Sequence, residues 1–562
     1  MKLITRLLIL CMLAAGGVSC QREALEATKP AEPSAIETRP NFLLVVVDDM
    51  GFADIEPFGS EIETPTLTRL AENGVMFTSF YAAPTCSPAR AMLMSGMDNH
   101  IAGIGNMAET VADNQMGLPG YEGHLREEVP TIAERLSEHG YRTVMAGKWH
   151  LGMKRELSPG ARGFDHALSF SFGGGSHYSD LLGPDLHRPK LLYRKNGVLN
   201  PQLEDDFYST TSFTSEVIAG LESTAHTGKP FFAYLAFTAP HWPLQLPSND
   251  ADAFAGRYDQ GYDILWQERL TKQRELGLFD EAQSSAPRPE GVPAWDELDV
   301  ESQRRSSRVM EIYAGMIQKL DTELDRLLAY LEFKHLAKDT VVIFISDNGA
   351  DSWDAGHAPP AVRDHAVTFD NRYENMGRPG SFTLFDRGWG WVSSTPFRGY
   401  KGSTFEGGIR VPAIISSADI SSPGRISTET VSITDFAPTI MELADIPFEE
   451  SQFSGRSITR LMKNESDSVR TDGDYVGVEI WGRRAIKVGN WKAVRMPKPL
   501  SDDRWLLFDL DADPAEQNNL AEDEPETLAK LEAAWERYVA ENNVVLPEGP
   551  FRILPPEPLP TD

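Results

Sequence analysis

Asp48-Asp49 and Asp347-Asn348 lie far apart in the chain, and each pair ends an apolar run. They offer only carboxylate and amide oxygens, the donors that a hard divalent cation takes. Such a set favours Ca2+. Mg2+ is the runner-up, because its octahedral shell and retained waters suit it less well. A plainer reading makes Asp48-Asp49 a strand-end cap and Asp347-Asn348-Gly349 a tight turn. The shared position after core-like runs favours joint metal binding. Cys86 is the second chemical group. Ser87 suits a helix cap, Pro88 a first helical position, and Ala89 to Met97 the helix itself. Residue 86 then sits where free N–H groups and the helix dipole favour an anion. Lys148 and His150 are two residues apart, and in an extended segment both would point the same way. His241 and Lys401 carry little signal by themselves.

These residues need a scaffold, and four segments supply one. Phe42 to Val47 runs into Asp48-Asp49, and Tyr141 to Ala146 leads through Gly147 to Lys148-Trp149-His150. Phe231 to Phe237 leads to His241, and Val341 to Ile345 to Ser346-Asp347-Asn348. Runs that are apolar throughout, separated by helical patterns, predict strands buried on both faces of a mainly parallel sheet. Such sheets place ligands at the carboxyl ends of their strands. The expected fold class is therefore α/β, with a large mixed, mainly parallel central sheet flanked by helices. A helix is expected over Pro130 to His139, stopping at Gly140. A long core helix is expected over 301–332, where Ile312, Met316, Leu320, Leu324 and Leu328 fall at four-residue steps. The segment Asp250 to Ser307 reads as a helical surface insertion. Residues 351–395 read as an irregular, aromatic rim over the site. Trp481 to Arg495 alternates short β-like pieces, and a helix follows from Pro525 to Glu541.

Composition narrows the chemistry. The chain has 562 residues and a formal net charge of −30. Nucleic acid is an unfitting partner, because its phosphates need a basic footprint. An anionic substrate would need a local cation cluster or a metal to overcome that field. Residues 1–20 combine Lys2 and Arg6 with an apolar run and read as an export signal. Residues 21–40 are polar, carry prolines and read as a tether. The chain's 3 cysteines are Cys11, Cys20 and Cys86, so an exported, processed chain keeps Cys86 without a disulfide partner.

The frame Cys86-Ser87-Pro88-Ala89-Arg90 resembles the signature of type I sulfatases of the alkaline phosphatase superfamily. Gly147-Lys148-Trp149-His150-Leu151-Gly152, preceded by Gly140-Tyr141-Arg142-Thr143, resembles their second signature. Ala239-Pro240-His241-Trp242-Pro243 and the stretch from Lys401 to Pro412 also match family positions. The likeness covers nearly all of 41–545 and looks closest to bacterial arylsulfatases. It implies a catalytic domain over 41–460, a C-terminal antiparallel sheet and helix over 461–550, and a tail over 551–562. The ending Val18-Ser19-Cys20 resembles a lipoprotein processing site, although Gly17 departs from the usual Leu. Export to the periplasm, or an outer-membrane lipid anchor on Cys20, is the expected localisation.

The resemblance also implies the chemistry. A maturing enzyme that reads Pro88 and Arg90 oxidises Cys86 to formylglycine (3-oxoalanine), whose hydrate has two hydroxyls on one carbon. One attacks sulfur to form a covalent sulfo-enzyme, and the other later expels sulfate. Asp48, Asp49, residue 86, Asp347 and Asn348 are the implied ligands of Ca2+. Arg90, Lys148 and Lys401 hold sulfate oxygens, Asp347 takes a proton, His241 serves the leaving oxygen and His150 takes the second proton. The expected activity is arylsulfatase-like hydrolysis of sulfate esters on a sulfated small molecule or saccharide. The alternatives are a phosphonate monoester or phosphodiester hydrolase of the same superfamily and a carbohydrate sulfatase. Related phosphonate hydrolases tend to carry His where this chain has Asn348. A non-catalytic polysaccharide-binding relative would have lost site residues, and here none is lost. Specificity is expected from 100–125, 171–190 and 351–395, with His100, His177 and His357 as candidates for the mouth.

Overall fold

The computed structural model describes residues 39–200, 202–247, 250, 252–354, 356–549 and 552–554. The expectations for the export signal, most of the tether, Cys20 and most of the tail lie outside these residues. At the centre is a 10-stranded sheet. Its middle strands run in the order Thr340–Ser346, Asn41–Val47, Phe231–Ala236, Arg142–Lys148 and His166–Phe170, each parallel to the next. All four apolar runs seen in the sequence are among them. They lie side by side, so their polar ends converge on one edge of the sheet. Antiparallel pairing begins outside this block, at Ala413–Ser416 on one side and Tyr193–Lys195 on the other. Both faces are covered, and alternate residues of Asn41–Val47 enter two separate cores. That is why the run shows no polar alternation.

The expected helices form at Ile132–Glu138, Val300–Phe333 and Pro525–Asn542. Thr131 and Glu134 close a capping box on the first. The long helix buries Ile312, Met316, Leu320 and Leu324 completely. Two expectations need correction. The Asp250 to Ser307 segment is not a surface addition, because Tyr258, Tyr262, Trp266 and Trp295 are buried in the main core. Nor is 351–395 a rim throughout. Trp389 has no exposure and packs against Tyr258, Tyr262 and Trp295, while Trp391 stacks on Trp266 with ring centroids 5.0 Å apart. The tryptophans that looked like a loop lining are the partners of the charged segment's hidden face.

A 4-stranded antiparallel sheet, Val476–Ile480, Arg483–Val488, Trp491–Arg495 and Trp505–Asp509, packs with the helix Pro525–Asn542. Buried polar groups join it to the large sheet's side of the molecule. Lys492 Nζ lies 2.7 Å from Glu406 and 2.9 Å from Glu516, and the Tyr81 hydroxyl donates to Glu406 at 2.8 Å. His100 stands between Asp98 at 2.8 Å and Glu479 at 3.2 Å, and the Tyr538 hydroxyl donates to Asp98 at 3.0 Å. His100 is thus a buried tie between the two parts and not part of the mouth. Among the described residues no helix is long and apolar enough to cross a membrane.

Candidate active site

The polar ends of the parallel strands meet in a buried chamber. Asp48 and Asp49 follow the strand Asn41–Val47, and Asp49 turns at φ 67. Asp347 and Asn348 follow Thr340–Ser346, and all four residues are buried. Cys86 opens the helix Cys86–Ser95. Its N-cap is Thr85 and not Ser87, because Thr85 still has extended backbone angles and Cys86 already adopts the helical turn. Residue 86 therefore stands at the positive end of the helix, as expected. Its sulfur lies 3.7 Å from Asp49 Oδ1.

Three cations serve the three carboxylates. Lys148 Nζ donates to both oxygens of Asp48 at 2.8 and 2.7 Å. Lys401 Nζ lies 2.7 Å from both oxygens of Asp49. Arg90 places Nε 2.9 Å and Nη2 2.7 Å from Asp347 Oδ2. His241 Nε2 faces Asp49 Oδ2 at 3.4 Å, and its Nδ1 lies 2.6 Å from the Trp242 carbonyl. Lys148 and His150 do not share a direction as an extended segment would give. The strand ends at Lys148 and His150 turns to φ 57, so its Nε2 meets Glu109 at 3.4 Å. Both still reach the site, Lys148 within the chamber and His150 at the wall of the cleft.

Burial sets the protonation states. Desolvation alone would raise Asp49, but Lys401, His241 and Lys148 outweigh it and hold the carboxylate well below its usual range. Desolvation pushes Asp347 up to about 6, although Arg90 opposes the shift. Desolvation also pulls His241 well below the ordinary imidazole value, although Asp49 opposes the shift. Burial and Asp48 push the Cys86 thiol well up. An unmodified Cys86 is therefore a thiol rather than a thiolate, and a poor nucleophile or metal ligand.

The donor set fits a divalent cation. Asp48, Asp49, Cys86 and His241 direct ligand-type atoms to within 4.8 Å of one another. Asn348 donates from Nδ2 to Asp49 at 2.7 Å, while its buried Oδ1 has no hydrogen-bond partner. A buried amide oxygen without a donor calls for one, and a cation among the carboxylates supplies it. The chamber opens into a cavity of about 650 Å³ lined by Cys86, His150, His241, Trp242, Lys401 and others.

Some of the site was not identified from the sequence. Glu109, from the short 3-10 turn Ala108–Thr110, Arg188, from the short strand Arg188–Lys190, and Asp351 line the cleft with no local sequence pattern. The run Gly173-Gly174-Gly175 did carry a signal. A Cβ at Gly174 would stand 2.4 Å from His241 Cε1, and one at Gly173 2.8 Å from His150 Cε1. Successive glycines mark a backbone pressed against functional side chains. Of the other histidines proposed for the mouth, His357 lines the cleft. His177 lies behind it, with Nε2 at 3.0 Å from the His241 carbonyl.

Comparison with known proteins decides what this chamber belongs to. A family model described as Sulfatase matches residues 40–446. The chain belongs to the sulfatase family. A second model, described as N-sulphoglucosamine sulphohydrolase, C-terminal, matches residues 400–541 of this sulfatase. An uncharacterized sulfatase of Schizosaccharomyces pombe is 40% identical over 91% of this chain and 96% of its own length. An arylsulfatase of Klebsiella aerogenes is 37% identical over 74% of this chain and 88% of its own. The solved structure of Ps i-CgsB in complex with k-i-k-neocarrahexaose shares the fold, with a TM-score of 0.65 and 24% identity over 90% of this chain and 94% of that one. The protein is a hydrolase of sulfate esters with a sulfatase-like fold.

Proposed function

We propose that this sulfatase acts on aryl-type sulfate esters at residue 86 after Cys86 has become formylglycine, with Ca2+ in the oxygen-lined chamber. The observation that carries the reading is the placement of Cys86. It lies at a helix N-terminus and within 3.7 Å of Asp49, and Asp49 is held by Lys401. The similarity to an arylsulfatase of Klebsiella aerogenes supports the aryl preference. Asp48, Asp49, Asp347, Asn348 and residue 86 would hold the ion, which supplies Lewis-acid charge at a sulfate oxygen. The formylglycine hydrate supplies the attacking hydroxyl.

The chain's own side chains do the rest. Lys148, Lys401 and Arg90 bring three positive charges to three carboxylates. That balance leaves the ion's charge free to meet an anionic ester, against an overall charge of −30. Asp347 Oδ2 is held by Arg90, and its carboxylate is the acceptor for the attacking hydroxyl's proton. His241 Nδ1 faces the Trp242 carbonyl, which makes Nε2 the atom that gives or takes a proton beside the leaving oxygen. His150, with Nε2 at Glu109, serves the second proton.

Export through residues 1–20, to the periplasm or to a lipid anchor on Cys20, and maturation by a formylglycine-generating enzyme complete the proposal. The mass of the peptide containing residue 86 tests it, together with turnover by Cys86→Ala. The peptide is expected to carry the aldehyde or its hydrate, and the variant is expected to fold without turnover. An unmodified thiol in fully active enzyme overturns the reading.

A further inference from the structure

The C-terminal sheet sends one hairpin tip into the active-site cleft. The strands Val476–Ile480 and Arg483–Val488 are joined by Trp481 and Gly482 alone, at φ 55 and φ 79. A two-residue hairpin with both central residues at positive φ favours Asn-Gly or Gly-Gly. A tryptophan in that first place is a steric outlier. Strain of this kind persists where the surroundings or a function hold it. The surroundings here are specific. Trp481 Nε1 donates to Asn106 Oδ1 and Thr110 Oγ1, both at 3.0 Å, which fixes the indole against the cleft wall. Trp481 and Arg483 line the same cavity as Cys86, His241 and Lys401.

The arginines of this cavity differ in their company. Arg188 is 2.7 Å from Asp185, and Arg552 is bound to Asp113. Arg483 has no acidic partner within ion-pair distance among the described residues. Its guanidinium lies 5.2 Å from the Trp481 ring centroid, and Nη1 donates to the carbonyl of Gly402. Gly402 is the neighbour of Lys401, so the free cation sits one residue along from the group that grips Asp49. Desolvation lowers the Arg483 pKa to about 10, which still leaves it charged at neutral pH. A partly buried guanidinium with no counter-charge is costly in a folded protein, and an anion that supplies charged hydrogen bonds relieves that cost. In a chain of net charge −30, a carboxylate could readily have filled this place.

We propose that Arg483, beside Trp481, recognises a second anionic group on the alcohol half of the substrate, a carboxylate or a further sulfate, so that the preferred esters carry two negative groups. This rests on the sulfatase reading of the same cleft. Trp481 is the platform for the body of the alcohol, and Arg483 is a specificity determinant that takes no part in the bond changes.

The test compares kcat/KM for three aryl sulfates of one leaving group: unsubstituted, ring-carboxylated and ring-sulfated. The wild type is expected to prefer at least one dianionic ester by about tenfold, mostly through KM, as one charge-assisted contact allows. Whichever is preferred identifies the anion. Arg483→Gln should bring the ratio of dianionic to unsubstituted ester close to one, and Arg483→Lys should retain part of it. A merely structural role would lower all three esters together and leave the ratio alone. A wild type without preference, or an unchanged ratio in Arg483→Gln, overturns the proposal. Hydrolysis of any of the three esters reports separately on the sulfatase reading: no turnover of any of them would defeat that reading, whereas turnover of all three without preference would defeat the proposal alone.

Discussion

Gly174→Ala tests the leaving-group role of His241 without touching the imidazole's chemistry. Gly174 has a backbone φ open to any residue, so alanine is allowed there, but its Cβ would stand 2.4 Å from Cε1 and 2.8 Å from Nδ1 of His241. Ordinary carbon contacts begin near 3.4 Å, so the ring must move by roughly 1 Å. The ring has little freedom, since Nδ1 is tied to the Trp242 carbonyl at 2.6 Å and the two ring centroids lie 4.6 Å apart. A displacement of about 1 Å costs on the order of 100-fold in rate, or about 2.7 kcal/mol. The loss should depend on the leaving group. Alkyl sulfates need a proton on the departing oxygen and should lose about 100-fold in kcat/KM. Nitrophenyl sulfate departs as a stable anion and should lose less than about tenfold. Side-by-side kinetics on the two esters provide the assay, and a thermal melt checks that the variant is folded. Equal losses on both esters, or wild-type rates on the alkyl ester, would refute the assignment of His241 to the leaving oxygen.

Two further outcomes are expected. His100 is raised to about 9, against burial, by Asp98 and Glu479. Since the folded pKa is the higher one, the stabilisation is complete below about pH 6.5, falls between about 6.5 and 9, and is gone above that. It amounts to about 2–3 kcal/mol at pH 7. Denaturant unfolding should show this loss with rising pH in the wild type and a flatter profile in His100→Gln; identical profiles would contradict it. Removing divalent ions by chelation should abolish turnover and lower the melting temperature, and Ca2+ should restore both better than Mg2+. Full activity in enzyme shown to be metal-free by elemental analysis would end the metal assignment.

The parts of the molecule that were legible in the sequence are those whose cause is local. Four uninterrupted apolar runs between helical patterns read as strands covered on both faces, and they form the middle of the sheet. The four-residue steps from Ile312 to Leu328 gave the long helix, and Pro525 marked the start of the last one. Asp48, Asp49, Asp347 and Asn348 were found because they end such runs. What escaped depended on distant partners. Nothing near Tyr262 or Trp266 shows that Trp389 and Trp391 cover them. The left-handed turn at His150 follows from contacts that no alternation encodes. The tip at Trp481 belongs to a sheet far along the chain, and its sequence neighbours do not show that it reaches the cleft.

Lys401 and Glu406 share one short segment, and that segment is gripped from far downstream. Lys492 holds the Glu406 carboxylate, and Glu516 receives the Glu406 N–H at 2.7 Å. The ammonium that meets Asp49 is thereby anchored by residues near the chain's end. A chain cut short after the large sheet would retain every reacting group on paper and still lack the brace that holds one of them in place. Loss of activity in such a fragment would reflect slack geometry rather than missing chemistry.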